Sequence, residues 1–196
     1  MVIVWHCAMS LREYASAGSG LAVPRPDCPG CQTAMIFFGR YERAVRLGGQ
    51  VTRLAIRRAR CRRCRATHAL LPDFVALCRL DGIEDIGDAA EQMATCQSIR
   101  QAAGTLPYTT VRDWRRRFVS KAELLAKRLL AATAALGDLV GHPPGEAMRA
   151  AVFAIGAVGR AARRRFGPCG GDWQVANRVV GGHLLSTNTD PPWIVV

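Results

Sequence analysis

Cys28-Pro29-Gly30-Cys31, then Arg43-Ala44-Val45-Arg46-Leu47-Gly48-Gly49-Gln50-Val51-Thr52-Arg53-Leu54-Ala55-Ile56-Arg57, then Cys61-Arg62-Arg63-Cys64: these three segments decide the fold of the first half of the chain. A two-residue gap lets both thiolates of a tight turn point at one ion, and two such turns complete a tetrahedron. Pro29 presets φ, and Gly30 opens room for backbone amides to face sulfur. Cys28, Cys31, Cys61 and Cys64 are therefore the expected ligands of a structural zinc ion. A redox pair would need only one CxxC, at a helix start beside a βαβ pattern, and neither pair sits in one. His68, four residues past Cys64, is the alternative fourth ligand. Cys7, Cys78, Cys96 and Cys169 have no partner at ligand spacing and read as small apolar residues.

The 29 residues between the pairs exceed the commonest ribbon spacing, but their content suits a ribbon. Residues 34–38 form an apolar, aromatic run fit for a strand. Residues 43–47 and 50–57 flank Gly48-Gly49, a two-residue hairpin signal. Leu54 and Ile56 alternate with Arg53, Ala55 and Arg57, which predicts one apolar and one partly basic sheet face. A sheet this small could not bury enough surface to fold without its metal.

Charge is sorted along the chain. The formal net charge is +12 and the pI near 10.2, a surplus that repels itself unless a polyanion screens it. Residues 28–65 carry ten arginines against one acid, Glu42. Residues 66–108 reverse the balance with Asp73, Asp81, Glu84, Asp85, Asp88 and Glu91. Residues 109–121 turn basic again, so two basic modules flank an acidic connector. The bias to arginine over lysine fits both a G/C-rich genome and the match of guanidinium forks to phosphate and guanine.

The acidic segment is a helix by pattern. Ile83, Ile86, Ala90 and Met93 share one face, and the carboxylates, read as a solvated face, share the other. A second helix is expected over residues 98–106, capped by Gln97 or Ser98 and broken by Pro107. A third, capped by Thr109 or Thr110, buries Val111, Trp114 and Phe118 and leaves Arg112, Arg115 and Arg116 facing outward. Short helix, turn and basic helix describe a helix-turn-helix whose last helix enters the major groove.

The segments CPGC (28–31), RARCRRCRATHALLPDF (58–74), PYTTVRDWRRRF (107–118) and GGHLLSTNTDPPW (181–193) resemble a family of bacterial proteins of uncharacterised role with an N-terminal zinc ribbon and a helix-turn-helix. The ribbon is also similar to the zinc-binding head of insertion-sequence transposases. The resemblance implies DNA binding in a mobile-element setting. One departure bears on sequence reading: a standard motif separates the alanine of its second helix from the valine of its third by about ten residues. Ala103 and Val111 are eight apart, with no glycine between Leu106 and Pro107. Either the second helix ends early near Gly104, or the motif docks poorly.

Beyond Phe118 the helical pattern runs toward Val140, and the spacing of Leu125, Leu129, Ala132, Leu136 and Leu139 suits a core helix or a seam between two chains. Gly141 to Gly145 reads as a linker, residues 146–166 as a helix, and the Gly- and Pro-rich remainder as an irregular tail anchored by Trp173 and Trp193. The expected fold class is α+β: a small antiparallel zinc-ribbon sheet, then a helix-turn-helix region and a helical C-terminal part. Its divisions are 1–27 (N-terminal segment), 28–80 (ribbon), 81–120 (helix-turn-helix), 121–166 (helical, with the linker) and 167–196 (tail).

The function expected is double-stranded DNA binding, as a transcription regulator or mobile-element accessory factor. The candidate contacts are Arg57, Arg62 and Arg63 in the ribbon and Thr109, Thr110, Arg112, Arg115 and Arg116 in the third helix. The rival classes are an RNA-binding or protein-bridging ribbon and a transposase-related enzyme. The enzyme would need convergent carboxylates on two divalent ions, and after Lys121 the acids are only Glu123, Asp138, Glu146, Asp172 and Asp190. No small-molecule substrate, membrane span or signal peptide is expected, which places the chain in the cytoplasm on the nucleoid.

Overall fold

The hairpin signal at Gly48-Gly49 is the turn of the longest strand pair. In the computed structural model, which describes residues 1–95, 98–104 and 106–186, β2 (Ile36–Leu47) returns as β3 (Gln50–Arg60). Gly48 and Gly49 have φ of +56° and +78°, the left-handed pair whose twist matches the flanking strands. Leu47 faces Gln50 and Arg43 faces Leu54, so Val45, Leu54 and Ile56 fall together in the core as the alternation requires. Residues 34–38 do not make a strand of their own. A bulge between Phe37 and Arg40, with Gly39 at φ +76°, joins them to β2.

The sheet is mixed, not antiparallel. Its order is β1-β4-β3-β2, where β4 (Thr67–Pro72) runs antiparallel to β3 and β1 (Val2–Trp5) parallel to β4. Leu70 and Leu71 of β4 need cover on both faces and at the edge, and the β-branched run Val2-Ile3-Val4 supplies the edge. Between β1 and the hairpin, α1 (Leu11–Ala17) starts on a capping box in which Ser10 and Glu13 bond each other's backbone amides. Tyr14 of α1 is 1% exposed, meets Phe74 edge-on at 5.6 Å and donates to the Ala55 carbonyl. The N-terminal residues thus complete the sheet layer rather than precede it.

Among the described residues seven α-helices make up the other element class, and α2 to α7 bury a second core. The first of them, α2 (Ile83–Thr95), buries Ile83, Ile86, Ala90 and Met93 as the periodicity predicts. Its acids are not a plain solvated face. Asp81, just before the helix, is buried on Arg46; Asp85 accepts from the Gly48 amide; Glu91 accepts from the Trp173 indole at 2.8 Å. Burial also raises the Glu84 carboxyl above the usual range. The second helix is α3 (Ile99–Ala103), capped by Ser98 and closed at Gly104 with φ +53°, so it ends three residues earlier than expected. Gln97 and Cys96 lie outside the described residues. The third, α4 (Tyr108–Val119), has Pro107 at its N-cap with no side-chain cap, so Thr109 and Thr110 sit inside its first turn instead of capping it.

Ser120 and Lys121 interrupt the helix expected to run toward Val140. It resumes as α5 (Ala122–Ala135) and stops before Gly137, φ +80°. Leu125 and Leu129 are buried, and α5 packs along α6 (Ala147–Phe166) of the same chain. Leu139, outside the helix, is 95% exposed, so the leucine rhythm ends before it. Glu146 caps α6 by accepting from the Met148 and Arg149 amides. The tail is not irregular throughout, since residues Asp172–Val179 form α7, which buries Trp173, Val175, Ala176 and Asn177. Trp193 lies outside the described residues. No helix among the described residues is long and apolar enough to cross a membrane.

Trp173 sits where α7 meets α2, its ring 5.8 Å from Phe118, and a Cβ on Gly87 would lie 2.6 Å from its indole. Two effects compete in Gly87→Ala. Helix propensity favours alanine by about 1 kcal/mol, whereas overpacking a rigid ring costs about 1–3 kcal/mol. The indole cannot withdraw without breaking its bond to Glu91, so packing wins. Urea unfolding should show Gly87→Ala destabilised by roughly 1–2 kcal/mol, and a stabilised variant would disprove this close contact.

Candidate metal centre and nucleic-acid interface

Two knuckles of the same backbone design carry the cysteines. In each, the amide of the first cysteine donates to the carbonyl five residues on: Cys28 to Thr33 and Cys61 to Ala66, both at 2.9 Å. In each, the residue after the second cysteine adopts positive φ, Gln32 at +54° and Arg65 at +63°. That left-handed step turns the chain back so that both sulfurs of a knuckle face inward. The first knuckle leads into β2 and the second leaves β3, so the hairpin register brings them together. All four Sγ atoms lie within 4.8 Å of one another, and Cys28 and Cys64 are 3.6 Å apart.

The electrostatics suit a cation. The Cys64 amide, followed by that of Arg63, donates to the Cys61 sulfur and brings its thiol down to about 7. Cys31 is pushed up to about 12, chiefly by its hydrogen bond to Cys64 and then by burial. Cys28 and Cys61 are buried and Cys64 is exposed, so the site sits at the sheet's rim with one side toward solvent. These four cysteines could hold a metal ion. His68 stands apart from them: it pairs with Ala59 in the sheet, is 3% exposed, and neither ring nitrogen has a partner. Burial pushes its pKa down, so it fills the core as a neutral ring.

The arginines divide into two groups. Arg43 reaches the carbonyls of Ala76 and Arg79, and Arg46 pairs with Asp81 at 2.7 Å; both hold the protein together. Arg57, a candidate contact, donates to the Ser19 carbonyl at 2.9 Å and lies 5.0 Å over the Phe37 ring, so part of its guanidinium is committed. Arg62 and Arg63 are exposed on the second knuckle, together with Arg58 and Arg65. The sequence gives no direct sign of the aromatic partners: Arg25 also stacks on Phe37, at 5.6 Å, and Arg60 on Phe38, at 5.2 Å. The adjacent Phe37-Phe38 is the signal, legible once the hairpin register is known.

On α4, Val111, Trp114 and Phe118 are 0%, 3% and 1% exposed, whereas Arg112, Arg115 and Arg116 all face solvent. Arg116 approaches Asp113 only to 3.7 Å, with both side chains largely exposed, an ion pair worth little. Thr109 is exposed and Thr110 half-buried. The knuckles and α4 are at opposite ends of the hairpin. Gly48 and Gly49 line one cleft with Gly104, Leu106 and Pro107, placing the start of α4 beside the hairpin tip. From there β3 runs to Arg60, just before the second knuckle, a length of roughly 33 Å at strand rise.

Residues 28–114 match a domain of unknown function, DUF6431. The match begins at the first cysteine of the metal centre and ends at the buried Trp114, so it takes in both knuckles, the hairpin, α2, α3 and the first half of α4. No curated protein and no solved structure matches the chain.

The four-sulfur geometry leads to a stoichiometry. Protein purified without chelator should carry one divalent ion per chain by elemental analysis, with four thiols masked until it is removed. Cys61→Ser should lose the ion and His68→Gln should keep it. Four freely reactive thiols in the native protein would rule the centre out.

Proposed function

We propose that the chain binds double-stranded DNA, as a transcription regulator or a mobile-element accessory factor on the nucleoid. The centre holds a structural zinc ion, and α3 and α4 act as a helix-turn-helix with α4 in the major groove. The observation that carries this reading is the placement of two basic surfaces on one hairpin: the second knuckle follows one end of β3, itself roughly 33 Å long, and α4 starts beside the tip at its other end. One turn of B-DNA is about 34–36 Å. A hairpin of that length lets the exposed arginines of the second knuckle hold backbone while α4 enters the groove.

Zinc is favoured by the donor set. Four thiolates with no oxygen or nitrogen ligand suit a borderline-soft ion in a closed tetrahedron. Bonds of about 2.3 Å give a sulfur–sulfur edge of about 3.8 Å, close to the 3.6 Å between Cys28 and Cys64. The mutual packing of α2, α3 and α4 supports the helix-turn-helix, as does the early end of α3 at Gly104, which absorbs the two residues that the turn lacks. Pro107 leaves the first amides of α4 without a side-chain cap, open to a phosphate. A non-catalytic role fits the later acids: Asp138 pairs with Arg164, Glu146 caps α6, and Asp172 pairs with Arg163.

If both surfaces touch phosphate, affinity should fall steeply with salt, with a slope reflecting roughly five or more released counterions. Arg62→Ala and Arg63→Ala should weaken all sequences alike and make that slope shallower. At least one of Arg112→Ala, Arg115→Ala and Arg116→Ala should cost about 1–3 kcal/mol and relax preference at one base position. Trp114→Ala should abolish binding by collapsing the helical core. Binding-site selection with wild type and each variant is the measurement. A wild type that selects no consensus, or variants that all keep the same one, would remove α4 from the groove.

A further inference from the structure

The edge strand beside the metal knuckles carries a feature that duplex binding leaves unused. Phe38 lies at the bulge next to Gly39, and 46% of its surface is open to solvent. β2 is the outer strand of the sheet, so neither a neighbouring strand nor the core requires a large apolar ring there. The ring is also not isolated. Arg60 stands 5.2 Å over it, and the adjacent Phe37 takes Arg25 and Arg57 at 5.6 and 5.0 Å. Three of the four arginine–aromatic stacks among the described residues fall on these two rings; the fourth, Arg165 with Phe166, is on α6. Tyr41, 39% exposed, follows on the same strand.

We infer that this edge stacks an unpaired base, so that the DNA this chain recognises is a junction of duplex and single strand. The inference rests on the DNA-binding reading and specifies its substrate. The surroundings are strongly cationic: Arg40, Arg58, Arg62, Arg63 and Arg65 are exposed, while Asp27 and Glu42 are the only acids from Arg25 to Arg65. An aromatic ring within a guanidinium-rich surface is the chemistry of single-strand binding, in which cations track phosphates and the ring accepts the face of any base. A paired base offers no free face, since its neighbours in the stack cover both. Phe38 can therefore act only where the strands have separated, and α4, which starts beside the opposite end of the hairpin, requires duplex. A molecule with both surfaces fits a duplex that opens at one end.

The test uses the full-length, metal-loaded protein and four fluorescent probes at one salt concentration: a blunt duplex, the same duplex with a single-stranded DNA tail, that duplex with an RNA tail, and the DNA tail alone. The DNA-tailed duplex should bind about tenfold tighter than the blunt one, from one stacked base. A 2-aminopurine in the tail should lose emission on binding, as stacking quenches it. Phe38→Ala should bring the tailed and blunt affinities together and restore the emission, whereas Phe38→Trp should keep the advantage. Metal content equal to wild type shows that the variants are folded. Arg62→Ala should weaken tailed and blunt probes in proportion. Equal binding of tailed and blunt probes by wild type, or a tail advantage that survives Phe38→Ala, would overturn the inference while leaving duplex recognition intact. A preference for the RNA tail would overturn the choice of DNA. Binding to the tail alone with none to duplex would overturn the junction and, separately, the role given to α4.

Discussion

Arg46 and Asp81 join the two halves of the molecule, and the placement of α2, and through it of α3 and α4, follows from that joint. The guanidinium and carboxylate meet at 2.7 Å with Asp81 nearly enclosed. Two backbone bonds of 2.7 Å flank them, from the Arg46 amide to Leu80 and from the Gly82 amide to Arg46. The chain passes so close at Gly82 that a Cβ would lie 2.7 Å from the Leu47 side chain. Such a pair contributes less to net stability than its Coulomb energy suggests, because both charges leave water. Its effect is directional: it sets the point and angle at which α2 leaves the hairpin, and Asp85 fixes the first turn of α2 by accepting from Gly48 at 3.1 Å. Since α3 and α4 pack on α2, the hairpin tip becomes the reference for all three helices.

The second joint closes the molecule from the other side. Asp73 is fully buried at the end of β4, where its carboxylate accepts from Arg178 of α7 and from the Cys7 amide and lies 3.0 Å from Nδ1 of His6. Asn177 donates to the carbonyls of Asp73 and Val75 at 2.9 and 3.2 Å. The C-terminal helix is thereby tied to the first residues of the chain, and β1 is held against β4 by the same group. With joints at Asp81 and Asp73, the sheet and the helices have little freedom to rotate about the connector between them. Two of the six acids between the basic modules, Asp73 and Asp81, are thus spent on holding the sheet against the helices.

How far the fold was legible depended on whether the signal was local. Gly48-Gly49, the Leu54–Ile56 alternation and the two CxxC pairs are short-range patterns, and the hairpin and the four-cysteine cluster followed from them. The buried stripe of Val111, Trp114 and Phe118 was legible for the same reason. Parallel pairing of β1 with β4 was not, because it depends on contacts more than sixty residues apart that leave no period in either segment. Nor was α1, since among the seven residues of that helix only Leu11 and Tyr14 are buried, too few to show a stripe. The carboxylates of α2 were misjudged because helical periodicity separates apolar from polar and cannot tell an acid facing water from one facing an arginine.

The same limit applies to the arginines, and it shapes how binding is to be understood. Composition counts ten of them from Cys28 to Arg65 as one basic module. Arg43 and Arg46 are spent on carbonyls and a carboxylate within the protein, and Arg57 is partly held by Ser19 and Phe37. Of the arginines left exposed, Arg58, Arg62, Arg63 and Arg65 gather toward the knuckle end, Arg40 lies by the bulge, and Arg53, nearer the tip, meets Glu42. Charge that is diffuse in the sequence is therefore concentrated in the fold, away from the acidic connector that would neutralise it. On the proposed DNA-binding reading, a phosphate backbone meeting this surface finds a compact cationic end, with a second basic surface on α4. On that reading, this concentration of charge at two separate places, more than the size of the net charge, distinguishes recognition of DNA from general attraction to a polyanion.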